Sequence, residues 1–400
     1  MSYFLGVDIG TTTCKAMVTN AEGKVVAYVE SEEYEVLRPK EGWAEQDPRS
    51  WWGAFKKIVK TVASKIGDNI ASISVSSMEE GVVPVDRNGM PLYNCMIWQD
   101  TRTKPQEKWV IKNIGFVKII EITGLPPAYV WSAEKVLWIK ENLREVFDKT
   151  YKFLQPKDYI NYLLTGEYTT DWSIAGHTQL FDILKRKWSE ELMEAHGIPL
   201  DKWPPVYPSA RVIGELKSDI ANELGLKSHI PVVAGGGDQE VSTLGAGAIN
   251  EGEANYSAGT SNILNICLSK PMYDPRITVF CHPHSERWIM ELYPTQLGEA
   301  LQWLSRNIWT SRGGNVYREM DVEAERSTVG ARGVLFYPYF RGKYSSEINE
   351  NMKAIVIGLT FNHSKGDVVR ALMEGSAYEV RSTIEFCRSK FNLNVSKLVI

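Results

Sequence analysis

The first residues with the types needed for phosphate chemistry lie in a glycine-threonine turn near the start of the chain. Residues 4–13 read FLGVDIGTTT, an apolar strand that runs into an acidic residue. Asp8 stands at the strand end, where a carboxylate can hold magnesium directly or through water. Gly10 permits a sharp turn, and hydroxyl and backbone N–H groups suited to a phosphate follow on Thr11, Thr12 and Thr13. The same pattern also fits a β-hairpin with a capping aspartate.

A second copy of this pattern occurs in the other half of the chain. Residues 253–262 read EANYSAGTSN, and an apolar strand continues after them. Gly259, Thr260 and Ser261 occupy the positions that Gly10 to Thr12 occupy in the first copy. Two such elements, one near the start of each half, indicate a duplicated architecture with a nucleotide held between the halves.

A third candidate is the segment Gly235-Gly236-Gly237-Asp238-Gln239, which follows an apolar strand over residues 230–234. Three glycines let the backbone approach a ligand closely. Asp238 could accept the proton of a hydroxyl group as that group attacks a phosphoryl group. It could also cap the following helix, and the two roles are compatible.

The elements that must position these residues indicate an α/β chain with mixed sheets. Asp47 or Ser50 is predicted to cap a helix that begins near Trp51. The remaining helices are predicted around residues 135–142, 156–164, 188–195, 241–247 and 364–386. Strands are predicted at 25–30, 33–37, 70–76, 230–234 and 397–400, with a hairpin that joins 82–86 to 92–98. The domain boundary is expected between an N-terminal domain, residues 1–247, and a C-terminal domain, residues 248–400.

Composition restricts the function classes. Four hundred residues suggest two domains. A net charge of −4, from 45 basic and 49 acidic residues without a basic run, argues against nucleic-acid binding. Five scattered cysteines without CxxC spacing fit reduced thiols. Without a signal peptide or a membrane-length apolar run, a cytoplasmic protein with no membrane partner is expected. The absence of a GxxxxGK[ST] motif excludes a P-loop kinase.

Together these motifs resemble the FGGY family of carbohydrate kinases, within the actin-like ATPase superfamily. Residues 135–142 (KVLWIKEN) and residues 354–374 also match the two family signatures, and the resemblance covers the whole chain in the right order. It implies an α/β fold of two actin-like (ribonuclease H-like) domains. Their mixed β-sheets would be flanked by helices, with the active-site cleft between the domains.

The resemblance implies ATP and Mg2+ as cofactors and a role for each motif. Asp238 would be the general base, and Asp8 and Asp238 would hold the Mg2+, directly or through water. Lys15 stands where the family has a basic residue, although it could simply be solvated on the hairpin. The nucleotide would be contacted by Asp8, Gly10, Thr11, Thr12, Thr13, Lys15, Gly259, Thr260 and Ser261.

The substrate motifs are mixed. Met78-Glu79 combines the Met-His of xylulose kinases with the Arg-Glu of glycerol kinases, and residues 78–81 (MEEG) also resemble the Met-Arg-Glu-Gly of autoinducer kinases. Residues 98–102 (WQDTR) resemble the segment that lines the polyol site of glycerol kinases, although Met78 and Trp98 could be structural. An acidic Glu79 should repel a carboxylated sugar, which ranks gluconate below neutral acceptors. The residues expected to contact the substrate are Met78, Glu79, Trp98, Asp100, Asp238 and Gln239.

The resulting hypothesis is ATP-dependent phosphorylation of a primary hydroxyl of a small sugar or polyol, with a ketopentose such as xylulose as the first candidate. Glycerol, another polyol and an autoinducer-type acceptor remain alternatives, and a non-catalytic, actin-like sugar-binding regulator is the alternative from another class. A homodimer is a further expectation. Family members run beyond 400 residues, with a glycine-rich adenosine-binding turn after the strand at 398–400, so a truncated sequence is expected.

Overall fold

The computed structural model describes residues 2–67, 69–259, 262–284, 286–310 and 315–400. The chain forms two compact units. The first comprises Met1–Gly245, Lys270–Tyr273 and Val279–Trp288. The second comprises Ala246–Ser269, Asp274–Thr278 and Ile289–Ile400.

The first 245 residues alternate strands and helices. The strands are β1 (Tyr3–Ile9), β2 (Cys14–Asn20), β3 (Val25–Glu30), β4 (Glu45–Gln46), β5 (Ile70–Ser77), β6 (Val83–Val85), β7 (Cys95–Met96), β8 (Lys152–Leu154), β9 (Thr170–Asp171), β10 (Phe181–Asp182), β11 (Lys187–Trp188), β12 (Val206–Tyr207), β13 (Val212–Glu215) and β14 (Pro231–Gly237). The helices are α1 (Pro48–Ile66), α2 (Lys104–Asn113), α3 (Phe116–Thr123), α4 (Ser132–Asn142), α5 (Arg144–Lys149), α6 (Pro156–Thr165), α7 (Trp172–Gly176), α8 (Glu190–His196), α9 (Ser218–Leu224) and α10 (Asp238–Gly245), with a 3-10 turn at Leu200–Lys202.

Further strands and helices follow in the described residues beyond Gly245. The strands are β15 (Glu253–Ala258), β16 (Asn262–Leu268), β17 (Thr278–Cys281), β18 (Trp288–Thr295), β19 (Leu335–Tyr337), β20 (Lys343–Tyr344), β21 (Ile348–Asn349), β22 (Ile355–Ile357) and β23 (Lys397–Val399). The helices are α11 (Leu297–Asn307), α12 (Val316–Glu325) and α13 (Lys365–Phe391), with a 3-10 turn at Ala331–Gly333.

A six-stranded mixed sheet of order β13-β14-β5-β1-β2-β3 forms the centre of the first unit. β14, β5 and β1 run parallel, whereas β2, β3 and β13 are antiparallel to their neighbours. Alternate residues of β1, namely Leu5, Val7 and Ile9, point into the core, as a period of two requires. Helix α1 packs Trp51 and Phe55 into the same core.

The sheet of the second unit contains the order β21-β20-β18-β16-β15-β23. β15 pairs antiparallel with β16 and parallel with β23. Helix α13 begins with a capping box in which Ser364 and Asp367 satisfy each other's backbone N–H groups. Its buried side, which includes Val369 and Leu372, belongs to a second hydrophobic core.

Most of the predicted elements that position the motifs are present, including β3, β5 and α6, and Asp47 caps α1. The predicted strand at 33–37 is wrong, because that segment is irregular apart from one bridge between Leu37 and Glu45. The predicted hairpin pairing of 82–86 with 92–98 is only partly correct. Isolated bridges join Val82 to Met96 and Val85 to Pro91. The regular pairings are with tertiary partners instead, because β6 pairs with β8 and β7 pairs with β4.

Within the described ranges, every helix is too short or too polar to cross a lipid bilayer. All five cysteines lie in the described residues, where they are buried thiols outside any disulfide.

Candidate active site

The carboxyl ends of three neighbouring parallel strands meet at one edge of the first sheet. In the sheet register Asp8 of β1 lies opposite Ser76 of β5, and Gly237 of β14 lies opposite Ser77. Asp238 follows Gly237 directly. Ligands of open α/β sheets bind at such an edge. The sheet topology therefore brings the first and third sequence motifs together.

Asp8 lies between a hydrogen-bond donor and a cation. The Ser76 hydroxyl donates to Asp8 Oδ1 at 2.9 Å. Lys15 lies opposite Asp8 in the antiparallel register and is exposed. Burial raises the pKa of the Asp8 carboxyl, although the Ser76 hydrogen bond and the charge of Lys15 oppose that shift.

The glycine-threonine turn is held from several sides. The Gly10 N–H donates to the Thr13 carbonyl oxygen at 3.1 Å and closes the turn. The Tyr34 hydroxyl donates to the Gly10 carbonyl oxygen, and the Tyr34 N–H donates to the Thr12 carbonyl oxygen at 3.0 Å. Segment 31–37, which is not a strand, therefore supports the turn from outside the sheet.

Thr11 connects this turn to a distant segment. Its side-chain oxygen accepts a hydrogen bond from the Trp98 indole N–H at 2.9 Å, and its carbonyl oxygen accepts one from Gln46 Nε2 at 2.7 Å. Trp98 is 38% exposed, so its ring is available to a ligand. Thr13 instead donates to Glu30 on the neighbouring strand, at 2.7 Å.

The glycine run of β14 is required by close packing. Gly235 has φ of +74°, and a Cβ there would overlap the Val75 carbonyl oxygen. The register of β14 on β5 shifts between Val233 and Gly236, so the glycine lies in a bulge. A Cβ on Gly237 would lie 2.6 Å from Glu79 Oε1. Only glycine lets the strand approach β5 and the Glu79 carboxylate this closely.

Asp238 is the first residue of α10, and it has an unusual electrostatic environment. Gln239 Nε2 donates to Asp238 Oδ1 at 3.1 Å. Burial raises the pKa of Asp238 to about 7, and the nearby charge of Asp8 contributes further to that shift. A hydrogen bond with Glu79 opposes it. A carboxyl group with a pKa near neutrality can hold and release a proton at physiological pH.

The segment Met78–Gly81 lies directly at this edge. Met78 is 2% exposed, and its N–H donates to the Ile9 carbonyl oxygen at 2.9 Å. Glu79 is buried, and its Oε1 accepts the Gln239 N–H at 3.1 Å. Met78 is therefore part of the core, whereas the Glu79 carboxylate faces the residues around Asp238.

Asp100 lies beneath the surface of the Trp98–Arg102 segment. It is fully buried, and it accepts the Ala44 N–H at 2.6 Å and Arg102 Nη2 at 2.6 Å. Arg102 also pairs with Glu45 at 2.7 Å, and its guanidinium lies 3.5 Å from the centre of the Trp43 ring. The Asp100 carboxylate is thus bonded to protein donors, and it orders the segment that carries Trp98.

Sequence reasoning missed His177, which lies beside the predicted residues. Its Nε2 lies 3.0 Å from Glu240 Oε1, and its Nδ1 lies 2.9 Å from Glu80 Oε1. Burial alone would lower the His177 pKa, yet the two glutamates raise it to about 10. A local signal for this contact was lacking, because His177 is 97 residues from Glu80.

The same region contains a group with metal-ligand types. One ligand atom each from Glu79, His177 and Glu240 lie within 4.8 Å of one another, and all three residues are buried. Both ring nitrogens of His177 are already bonded to carboxylates. His177 and Glu240 of this group therefore belong to an ion-pair network around the imidazole, whose other carboxylate is that of Glu80.

The second predicted turn lies in the other unit. Gly259 follows β15, which pairs antiparallel with β16. Thr260 and Ser261 lie outside the described residues.

Comparisons with known proteins match the whole chain. Residues 3–245 match the N-terminal domain of the FGGY family of carbohydrate kinases, and residues 254–398 match the C-terminal domain. A xylulose kinase of Lactococcus lactis is 30% identical over 403 residues, which cover 100% of this chain and 79% of the relative.

Solved structures agree with this match. The ligand-bound xylulose kinase of Lactobacillus acidophilus superimposes with a TM-score of 0.87 at 25% identity, covering 96% of this chain and 78% of that one. The glycerol kinase of Plasmodium falciparum with ADP gives a TM-score of 0.89 at 24% identity, covering 98% and 80%. The fold is therefore the one these kinases share.

Proposed function

Because the chain belongs to the FGGY family of carbohydrate kinases, we propose that it transfers the γ-phosphoryl group of ATP to a primary hydroxyl of xylulose, with Asp238 as general base. Sugar kinases of this family use ATP, and this chain is a carbohydrate kinase. The observation that carries the proposal is the register of β1, β5 and β14, which brings Asp238 to the same sheet edge as Asp8. Support for xylulose comes from relatives such as the Lactococcus lactis enzyme.

The reaction needs a base at the acceptor and neutralisation at the phosphates. In the proposed step, Asp238 accepts the hydroxyl proton while the hydroxyl oxygen bonds to the γ-phosphorus. The bond from the γ-phosphorus to the β,γ-bridging oxygen breaks, and ADP leaves. Asp238 then releases its proton to solvent. The Gln239 side chain, which donates to Asp238 Oδ1, orients the carboxylate for this transfer.

The phosphate groups are assigned to the two glycine-threonine turns. In the first unit, Thr11, Thr12 and Lys15 would contact the β- and γ-phosphates, with Gly10 and Thr13 shaping the turn. Gly259, Thr260 and Ser261 would do so from the second unit. The contacts of Thr11 with Trp98 and Gln46 keep the first turn in one conformation, so less ordering entropy is lost when a phosphate binds.

Asp8 and Asp238 fit a magnesium ion, because hard carboxylate oxygens are the ligands Mg2+ prefers. A Cβ on Gly10 would lie 3.4 Å from Asp8 Oδ2, so the glycine keeps that oxygen accessible from the turn. Mg2+ bound there would neutralise charge on the phosphates. Ser76 orients Asp8 through its other oxygen, Oδ1.

Acceptor choice is assigned to Glu79, Trp98 and Gln239. The buried Glu79 carboxylate lies within hydrogen-bonding reach of Asp238, and it would accept a hydrogen bond from an acceptor hydroxyl. Together with Asp8 and Asp238 it would repel an acceptor that carries its own carboxylate. The buried side chains of Met78 and Asp100 would support these contacts by holding the segments that carry Glu79 and Trp98. Glycerol is the second candidate, since Glu79 stands where glycerol kinases also carry glutamate.

A coupled ADP-release assay tests the proposal. D-xylulose, glycerol, an autoinducer-type acceptor and gluconate are compared at equal concentration with MgATP. The expected ranking by kcat/KM places D-xylulose first and gluconate last. If the kcat/KM for glycerol exceeds that for D-xylulose, glycerol replaces xylulose as the proposed substrate. An absence of ADP release with every acceptor would refute sugar phosphorylation by this chain.

A further inference from the structure

Three ionisable side chains, those of the buried His177 and Glu240 and of the partly buried Glu80, form a continuous ion-pair chain, Glu80–His177–Glu240. The two contacts of the imidazole measure 2.9 Å and 3.0 Å. The side chains of His177 and Glu240 are only 2% and 1% exposed, and that of Glu80 is 13% exposed. The imidazole also stacks on Phe280, with 3.8 Å between ring centres and 10° between planes. The ring is thus held in position and orientation.

Glu80 is held at its backbone as well. Its φ of +60° is a conformation that residues other than glycine seldom adopt. The Glu80 carbonyl oxygen accepts hydrogen bonds from the buried Lys135 Nζ at 2.8 Å and from the Ser132 hydroxyl at 3.3 Å. Such a backbone conformation persists only where surrounding contacts impose it. Lys135 and His177 provide those contacts through a carbonyl oxygen and a carboxylate.

The ion-pair chain Glu80–His177–Glu240 connects two elements that carry residues with proposed roles in the reaction. Glu80 follows Glu79 in the segment after β5, and Glu240 lies two residues after Asp238 in α10. His177 belongs to neither element, since it follows α7. A protonated imidazole bonded to both glutamates therefore fixes the distance between Glu79 and Asp238, and its charge offsets repulsion among the carboxylates.

We infer that His177 is a positioning residue, which acts through Glu80 and Glu240 to hold Glu79 against the acceptor site beside Asp238. This inference rests on the proposed function for the identity of the acceptor site. The ordering of residues 78–81 by His177 does not depend on turnover, so it is measurable separately.

The experiment compares His177→Gln with His196→Gln. His196 is the matched control, because it is also a buried histidine of the first unit, and its ring bonds within its own helix to the Leu192 carbonyl oxygen at 2.6 Å. Hydrogen exchange is followed by mass spectrometry on peptides that cover residues 74–84. In His177→Gln, exchange of this segment should accelerate about tenfold or more. In His196→Gln it should remain within about twofold of the wild-type rate.

Kinetics provide the second readout, with the acceptor that the wild type phosphorylates best. His177→Gln should raise the KM for the acceptor about tenfold and change the KM for ATP less than about twofold. A general loss of stability would not separate the two constants in this way. Equal changes in both constants, or unchanged exchange of residues 74–84, would overturn the inference.

Glu80→Gln serves if His177→Gln does not fold. It preserves size and one acceptor oxygen but removes the charge, and it should accelerate the same exchange by about threefold or more. Where both variants fold, the double variant should show the same exchange rate of residues 74–84 and the same KM for the acceptor as His177→Gln alone. The reason is that both substitutions break the same contact, the one between His177 and Glu80. Additive effects would contradict the inference. If the wild type uses none of the acceptors, the proposed function fails, and the exchange comparison still decides the role of His177.

Discussion

Asp8 and Asp238 stand at the carboxyl ends of two parallel strands that only β5 separates, and the negative charge of Asp8 raises the pKa of Asp238. Burial is the larger cause of that shift, and Asp8 is the next. The two carboxylates come from residues far apart in the chain, and the parallel register of β1, β5 and β14 brings them to one edge. Burial and this proximity together set the raised Asp238 pKa, on which the expected acid–base behaviour of the site depends.

Asp238→Asn should remove the proposed base and preserve the shape of the site. We expect kcat to fall about 10²–10⁴-fold, while the dissociation constant for the sugar changes little. Initial rates and titration calorimetry with the acceptor measure the two effects. Near-normal turnover in this variant would exclude Asp238 as the base.

The pH dependence of kcat/KM should show an acidic limb. Asp238 must be deprotonated to accept the hydroxyl proton, and its pKa is raised to about 7. Activity should therefore fall as the pH decreases below about 7, by tenfold per unit well below that value. If kcat/KM stays constant from pH 8.5 to pH 5, Asp238 with a pKa of about 7 is not the base.

The contribution of Asp238 to the free energy of unfolding should decrease as the pH rises, whereas the activity should increase. The Asp238 pKa is raised from 3.8 to about 7 in the folded protein, so its contribution to stability is fully present below about pH 4 and is lost as the pH rises through 7. Asp238→Asn should raise Tm at pH 8 and have a smaller effect at pH 5. Each kcal/mol gained corresponds to roughly 2–4 °C. Differential scanning calorimetry at both pH values tests this, and an equal shift at both would contradict it.

Two glycine substitutions, one in the β14 bulge and one in α1, should change the free energy of unfolding in opposite directions. Gly235→Ala places a Cβ on the Val75 carbonyl oxygen at positive φ, and it should cost about 2–4 kcal/mol in free energy of unfolding. Gly53→Ala is the control, because Gly53 is an exposed position inside α1 with no atom within 4 Å of a Cβ. It should stabilise the protein by about 0.5–1 kcal/mol. Urea unfolding measures both, and a tolerated Gly235→Ala would contradict the packing argument.

Local sequence was sufficient wherever a residue's own chemistry set the conformation. Asp47 caps α1 as its side-chain type suggests. Gly10, Gly235 and Gly237 stand where the backbone must turn or approach another strand. By contrast, the sequence predicts a strand at segment 33–37, and that prediction is wrong. The sheet pairing of this segment is limited to the single bridge between Leu37 and Glu45, and the Tyr34 N–H instead donates to the Thr12 carbonyl oxygen.

The sequence by itself determined the family, the order of the motifs and the residue types available for phosphoryl transfer, because those properties depend on short contiguous patterns. Only the tertiary structure brought His177 between Glu80 and Glu240, which lie 97 and 63 residues away. It also decided that the Asp100 carboxylate accepts the Ala44 N–H, 56 residues away, and that the Asp238 pKa is raised. Burial and charge proximity set these properties, and both depend on which distant segments pack together.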